Sequence, residues 1–169
     1  MSLWTTLSTS LTAPLPLTQV TVVALLIQTF CTVAMTGLIW LIQGVHYPLL
    51  AKIGPSEFTE YVHLHARNIT YIVGPLMMIE VMTALACLYW AKSLGVPAWV
   101  LWAGLALLFV IWAATAFLSV PCHDALSRGY DLSVIHRLVD TNWIRTVAWT
   151  LRSGLLLWTL WLLLSKKVV

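Results

Sequence analysis

Residues 140–164 read DTNWIRTVAWTLRSGLLLWTLWLLL, an apolar stretch that nevertheless carries Arg145 and Arg152. As a helix rising ~1.5 Å per residue, its apolar part is long enough to cross a hydrocarbon core of about 30 Å. Three further runs of this kind occupy 20–41, 69–90 and 99–120. These runs are continuously apolar rather than alternating, which excludes the strands of a membrane barrel. The sequence therefore predicts an all-α integral membrane protein, a four-helix transmembrane bundle.

The composition agrees with a membrane protein, since 60% of the residues are hydrophobic and 9% are charged, a balance that soluble domains do not show. The basic residues are dispersed along the chain, so we expect no nucleic-acid partner. Residues 1–19 carry no charged side chain and read as a retained polar tail rather than a signal peptide. The three cysteines have no paired or metal-binding spacing. We expect a multi-pass protein of the plasma or inner membrane.

A single transmembrane domain is expected over residues 1–169. Its helices are predicted at about 20–46, 66–92, 97–121 and 142–165, with polar loops at 47–65 and 122–141. Pro55 and Ser56 also allow the second helix to begin near 56, and Asp131 and Ser133 could cap a short segment of the second loop. Because successive crossings alternate in direction, the loops after the first and third helices share one membrane face. All five histidines lie in or beside these loops, so we expect the functional groups on this face. The positive-inside rule places it on the cytoplasmic side.

Two ionisable residues lie deep in predicted helices. Counted from the starts of their runs, Arg152 is roughly 13 Å and Glu80 about 16 Å into the membrane, from the same face. A charge near the bilayer centre is costly, and such residues turn inward and pair. We therefore predict an intramembrane Glu80–Arg152 ion pair. It either sets the register of the helices or belongs to a functional site.

The fourth predicted helix carries a polar stripe. Asn142, Arg145, Trp149 and Arg152 recur at steps of three, four and three, which places them on one face of a helix. The stripe runs from the buried arginine up to the histidine-rich face. It predicts a polar shaft inside the bundle that opens at that face.

Candidate roles follow from the chemistry of these side chains. Histidine titrates near neutral pH and can act as a base, while arginine and asparagine can hold a developing negative oxygen. The candidate catalytic residues are His123, His46, His65, Arg145, Asn142, Glu80 and Arg152. The candidate substrate-binding residues are Gln43, Tyr47, Trp149, His63 and Asp124.

Several short motifs resemble one membrane family. VPCHDAL at 120–126, followed by TNWIRT at 141–146, is similar to a motif pair near the last two helices of the anthrone-oxygenase-like membrane proteins. GVHYPLL at 44–50 and GPLM at 74–77 resemble the first half of that family. Its members are small four-helix membrane proteins. Some of them oxidise polyketide anthrones to anthraquinones with molecular oxygen and no added cofactor.

The resemblance implies functional roles for His123, Asn142 and Arg145. The chain departs from the family pattern at His123, where asparagine is expected, and in its richer set of histidines. Together with the polar stripe, the resemblance predicts an oxidoreductase or oxygenase. Its substrate would be a lipophilic aromatic, phenolic or quinone-like molecule that enters from the lipid bilayer into a polar pocket of the bundle.

The cofactor is left open by the sequence. Catalysis without a cofactor and catalysis with a transition metal, iron or copper, are both compatible with these residues. The candidate metal ligands are His46, His63, His65 and His123. On a helix His63 and His65 would point apart and could not share one metal. A b-type haem is a further option, with His46 or His65 facing His123.

A non-catalytic role is the alternative. A small four-helix protein could be an accessory subunit of a larger membrane complex, or a protein that binds a lipophile or haem. In either case we expect the lipid bilayer as its surroundings and allow for a homo-oligomer.

Overall fold

The computed structural model of the protein describes residues 17–91 and 95–165. In these residues the chain forms α1 (Leu17–Leu41), α2 (Tyr47–Leu50), α3 (Pro55–Tyr89), α4 (Ala98–Ala114), α5 (Val120–Leu126) and α6 (Leu132–Ser165). Two π-helical turns, Ile42–His46 and Thr115–Ser119, join α1 to α2 and α4 to α5. Four continuous spans result, which are Gln19–Leu50, Pro55–Tyr89, Ala98–Leu126 and Leu132–Ser165. All four are long and apolar enough to cross a membrane, and the predicted all-α four-helix bundle is confirmed.

The four spans pack unevenly around the core. The first span contacts the second and the fourth, and the fourth also packs along the third. The second and third spans make the sparsest contact of the neighbouring pairs. The main core lies at the level of Met35, Met77, Ile111 and Trp149, one residue from each span. The bundle is therefore tight on three sides and loose along the seam between its second and third spans.

The predicted polar loops are mostly helical, which corrects the sequence-based boundaries. The second span begins at Pro55 rather than near 66, and the fourth begins at Leu132 rather than near 142. Outside the helices, the predicted loops retain only the turns at 51–54 and 127–131. The polar residues at 55–65 resemble a loop in the sequence, but they form the exposed side of an amphipathic helix. Its other side buries Phe58 and Val62. The predicted helix end at 92 and the tail before residue 17 lie outside the described residues.

Local signals explain both early helix starts. Pro55 occupies the first turn of α3 after an extended Gly54, and Glu57 follows in the same turn, where a negative charge favours the helix dipole. Asp131 precedes α6, and its Oδ1 accepts hydrogen bonds from the Ser133 amide at 2.8 Å and hydroxyl at 2.6 Å. Such capping satisfies backbone donors that the first turn leaves unpaired.

A proline follows each of the two π-helical turns. Pro48 and Pro121 lack an N–H, and a proline ring clashes with the carbonyl four residues earlier in an α-helix. The preceding turn widens instead, so the Tyr47 amide bonds to the Ile42 carbonyl and Val120 bonds to Thr115 in the same way. One added residue rotates the following side chains by about 100° around the helix.

Candidate functional site

The deepest polar feature is the ion pair between Arg152 and Glu80, both 0% exposed. The Thr32 hydroxyl donates to Glu80 Oε1 at 2.5 Å and accepts from Arg152 Nη1 at 2.6 Å. Arg152 Nε donates to the Gly104 carbonyl at 3.2 Å. Every span supplies one of these four residues. The ion pair predicted from matching depths is therefore present, and it ties the whole bundle together.

Trp149 separates this ion pair from the rest of the predicted polar stripe. Its indole is fully buried, and Nε1 donates to Glu80 Oε2 at 3.2 Å. Its ring also borders the main cavity, which neither Glu80 nor Arg152 reaches. The prediction of a continuous polar shaft is therefore wrong, because the Trp149 side chain fills the bundle at that level. Glu80 and Arg152, predicted as catalytic, lie outside the cavity.

The main cavity has a volume of about 380 Å³ and lies against the loose seam between the second and third spans. Its walls are mainly apolar and include Met35, Val73 and Met77. Met78 and Val120 also line it and are 51% and 47% exposed on the outside of the bundle. A cavity with these walls suits a lipophilic molecule, and it has partly exposed apolar residues at its edge.

The polar end of the cavity is built from Tyr47, His123 and Arg145, which all line it. The Tyr47 hydroxyl lies 3.0 Å from His123 Nε2, and Arg145 Nη2 donates to the same hydroxyl at 3.2 Å. A proton can pass between phenol and imidazole at this distance, while the guanidinium stabilises negative charge on the phenol oxygen. The π-helical turns before Tyr47 and before His123 set the rotation that brings these side chains together.

A buried pair of amides holds Arg145 in place. Its Nη2 donates to Asn142 Oδ1, and Asn142 Nδ2 donates to Gln43 Oε1 at 2.8 Å. Gln43 Nε2 in turn donates to the Val139 carbonyl at 3.2 Å. Asn142 is 0% and Gln43 4% exposed, and neither lines the cavity. These two candidate residues therefore support the arginine rather than meet a ligand.

Three histidine rings stand in series beside the polar end. His46 and His65 stack with centroids 4.0 Å apart, and His65 lies 6.0 Å from His123. His63, predicted to bind substrate, is exposed and points away, as its spacing of two from His65 requires on a helix. Asp124, another candidate, is also exposed. The structure therefore brings together three of the four predicted histidines and leaves His63 and Asp124 outside.

The candidate ligand side chains are not arranged as the metal or haem sites considered from the sequence would require. Within residues 17–91 and 95–165, no group of three or more His, Cys, Asp or Glu side chains is placed to hold a metal ion. His46 and His65 stack face to face, so their in-plane nitrogen lone pairs do not converge. His123 Nε2 is already bonded to Tyr47. For the predicted axial pair of His65 and His123, the ring centroids lie 6.0 Å apart, with no open space for a macrocycle shown between them.

Two further residues matter at this site that the sequence did not single out. Thr32 joins the ion pair, and it precedes Thr36, Trp40 and Gln43 at steps of four, four and three, a helical spacing that could have identified it. Trp112 borders the cavity, and its Nε1 is buried without a hydrogen-bond partner. It precedes Thr115 and Ser119 at steps of three and four, a spacing that could have identified it as an inward residue.

Comparisons of the chain with protein-family models, with curated proteins and with solved structures gave no match. They neither support nor contradict the resemblance to the anthrone-oxygenase-like proteins. The proposed function therefore rests on the geometry of the cavity and its polar end.

Proposed function

We propose that this protein is a membrane-embedded oxidoreductase, an oxygenase that acts on a lipophilic aromatic, phenolic or quinone-like substrate. The observation that carries the proposal is the hydrogen bond between Tyr47 and His123 at the polar end of a mainly apolar cavity of about 380 Å³. The apolar walls would hold the body of an aromatic substrate. The polar end would act on its acidic proton and its oxygen.

The residues divide the chemistry between them. The pair of Tyr47 and His123 would remove a proton from the substrate, and Arg145 would hold the resulting phenolate or enolate oxygen. Such an anion is electron-rich and gives electrons to molecular oxygen. In the proposed reaction a ring CH₂ becomes C=O, so that one oxygen atom enters the product. The other leaves as water with the two hydrogens, and the substrate is the only reductant required.

The substrate would enter sideways from the bilayer. The seam between the second and third spans is the loosest of the bundle, and Met78 and Val120 line both the cavity and the outer surface. Entry there would deliver the aromatic body first and leave the polar end accessible to oxygen and protons. We propose that the protein works in a plasma or inner membrane, where it could form a homo-oligomer or join a larger membrane complex.

A second function, binding of a lipophile without turnover, is favoured by one specific observation. The cavity walls are mainly apolar, and the ion pair of Glu80 with Arg152 lies outside them. An accessory subunit that only carries a lipophile would need no more than this. The two functions differ in whether oxygen is consumed.

The test is turnover of anthrone by the purified protein in lipid nanodiscs, with oxygen uptake and quinone formation measured together. We expect one O₂ consumed per quinone, beyond the rate in empty nanodiscs. His123→Ala and Tyr47→Phe should each lower the rate by at least about 100-fold. The matched control is His136→Ala, since His136 is exposed and outside the cavity. Anthrone binding without oxygen uptake would favour the carrier, and full activity of His123→Ala would remove that residue from the mechanism.

A further inference from the structure

The two buried arginines differ in how their charge is balanced. Arg152 is paired with Glu80, the one ion pair within the parts of the chain that the structure describes. Arg145 is 7% exposed, and its hydrogen-bond partners, Asn142 and Tyr47, are both neutral. A buried charge without a counterion is costly, particularly inside a membrane. The cavity end therefore carries an unbalanced positive charge.

Two buried donors on residues that line the cavity also have no partner. Arg145 Nε and Trp112 Nε1 make no hydrogen bond, and both residues line the cavity. A buried donor left unpaired costs about 1–3 kcal/mol. An oxygen atom bearing negative charge in the cavity would balance the guanidinium and offer these donors an acceptor.

We propose that the cavity binds its ligand as a lipophilic anion, with the negative oxygen of a phenolate, enolate or carboxylate held by Arg145 and Trp112. The inference rests on the proposed function for its site and deepens it by assigning the charge of the ligand. The asymmetry between the arginines supports it. Arg152 has a protein counterion and no access to the cavity, whereas Arg145 has access and no counterion.

The test compares 2-naphthoate with 2-naphthamide, two probes of nearly equal size and shape that differ in charge. Binding to the full chain in nanodiscs is measured by equilibrium dialysis, with empty nanodiscs subtracted. A hydrogen bond to a charged group is roughly twice as strong as a neutral one. We expect the naphthoate to bind at least about tenfold more tightly. Equal affinities, preference for the amide, or failure of both probes to bind would overturn the proposal.

Three variants locate the preference. Arg145→Gln should remove the preference for the anion while naphthamide still binds. Arg137→Gln, a change at an exposed arginine of the same helix, should leave it intact. Val73→Trp, which fills the cavity wall, should abolish binding of both probes. A preference that survives in Arg145→Gln or in Val73→Trp would show that the anion binds elsewhere. If Arg145→Gln does not accumulate, the wild-type comparison and Val73→Trp still decide whether the cavity binds the anion.

The anion site and the oxygenase activity can each be refuted without refuting the other. Preference for the naphthoate without oxygen uptake on anthrone would support the anion site and contradict the oxygenase. Oxygen uptake without that preference would support the oxygenase and contradict the anion site.

Discussion

Replacing Glu80 by glutamine tests whether the central ion pair holds the bundle together. Glutamine has the shape of the glutamate but no charge, so Arg152, at 0% exposure, would keep its positive charge without a counterion. The remaining acceptors of the guanidinium, Thr32 and the Gly104 carbonyl, are neutral. Removing one partner of a buried pair typically costs about 3–5 kcal/mol. For a chain of this length we expect the melting temperature to fall by roughly 6–20 °C.

The double variant measures the interaction between Glu80 and Arg152 apart from their other contacts. Arg152→Leu alone should also destabilise, because it leaves the Glu80 carboxyl buried without its cationic partner. With Glu80→Gln and Arg152→Leu combined, no charge remains, and well-packed neutral side chains often replace a buried pair at little cost. We expect the double variant to be about 2–3 kcal/mol more stable than the sum of the single effects predicts.

The assay is thermal or denaturant unfolding in one detergent, followed by loss of helical circular dichroism. Glu60→Gln is the matched control on the same helix, since Glu60 is exposed and lies beyond the first turn, and should change stability by no more than about 0.5 kcal/mol. Single effects that add within about 0.5 kcal/mol in the double variant would show that the two side chains do not interact. That result would refute the central assignment.

Asn142→Leu should cost about 1–3 kcal/mol, because the neighbouring guanidinium loses a buried acceptor, and naphthoate binding measured by dialysis should weaken with it. Pro48→Ala restores a backbone N–H, so we expect the π-helical turn to revert to α-helix and rotate Tyr47 away. Anthrone turnover should then fall by up to about 100-fold while the melting temperature does not drop, and unchanged turnover would contradict this account of the turn. The Ser133 hydroxyl, with two backbone amides, lowers the pKa of Asp131 below its ordinary value. The stability that Asp131 contributes is therefore complete above about pH 4 and is lost as the pH falls through its lowered folded-state pKa. Amide hydrogen exchange in the first turn of α6 should show this loss of protection in acid. Asp131→Asn, which does not titrate there, should show none.

The arrangement in the membrane was largely predictable from the sequence. Four apolar runs of span length admit only helices, and the cost of an isolated charge in lipid requires Glu80 and Arg152 to meet at their common depth. Both predictions need only the rise per residue of a helix and the free energy of transferring side chains from water to lipid. The start signals at Pro55 and Asp131 were visible in the sequence, but the predicted bounds near 66 and 142 were wrong because polar residues on the exposed side of a helix resemble a loop.

The site itself depended on contacts between residues far apart in the chain. The spacing of Trp149 puts it on the same stripe as Arg145 and Arg152, but only packing showed that its indole closes the stripe. The hydrogen bond between Tyr47 and His123 likewise depends on the two π-helical turns. No periodic pattern in the sequence predicts the rotation that these turns cause.

The sequence by itself determined the environment of this protein, the number of its spans and the pairing of its deepest charges, because hydropathy and the cost of burying charge act on each segment separately. Only the tertiary structure decided where the cavity lies and which side chains border it. Those properties depend on how tightly each pair of spans packs, and the loose seam between the second and third spans leaves Arg145 beside open space without a counterion.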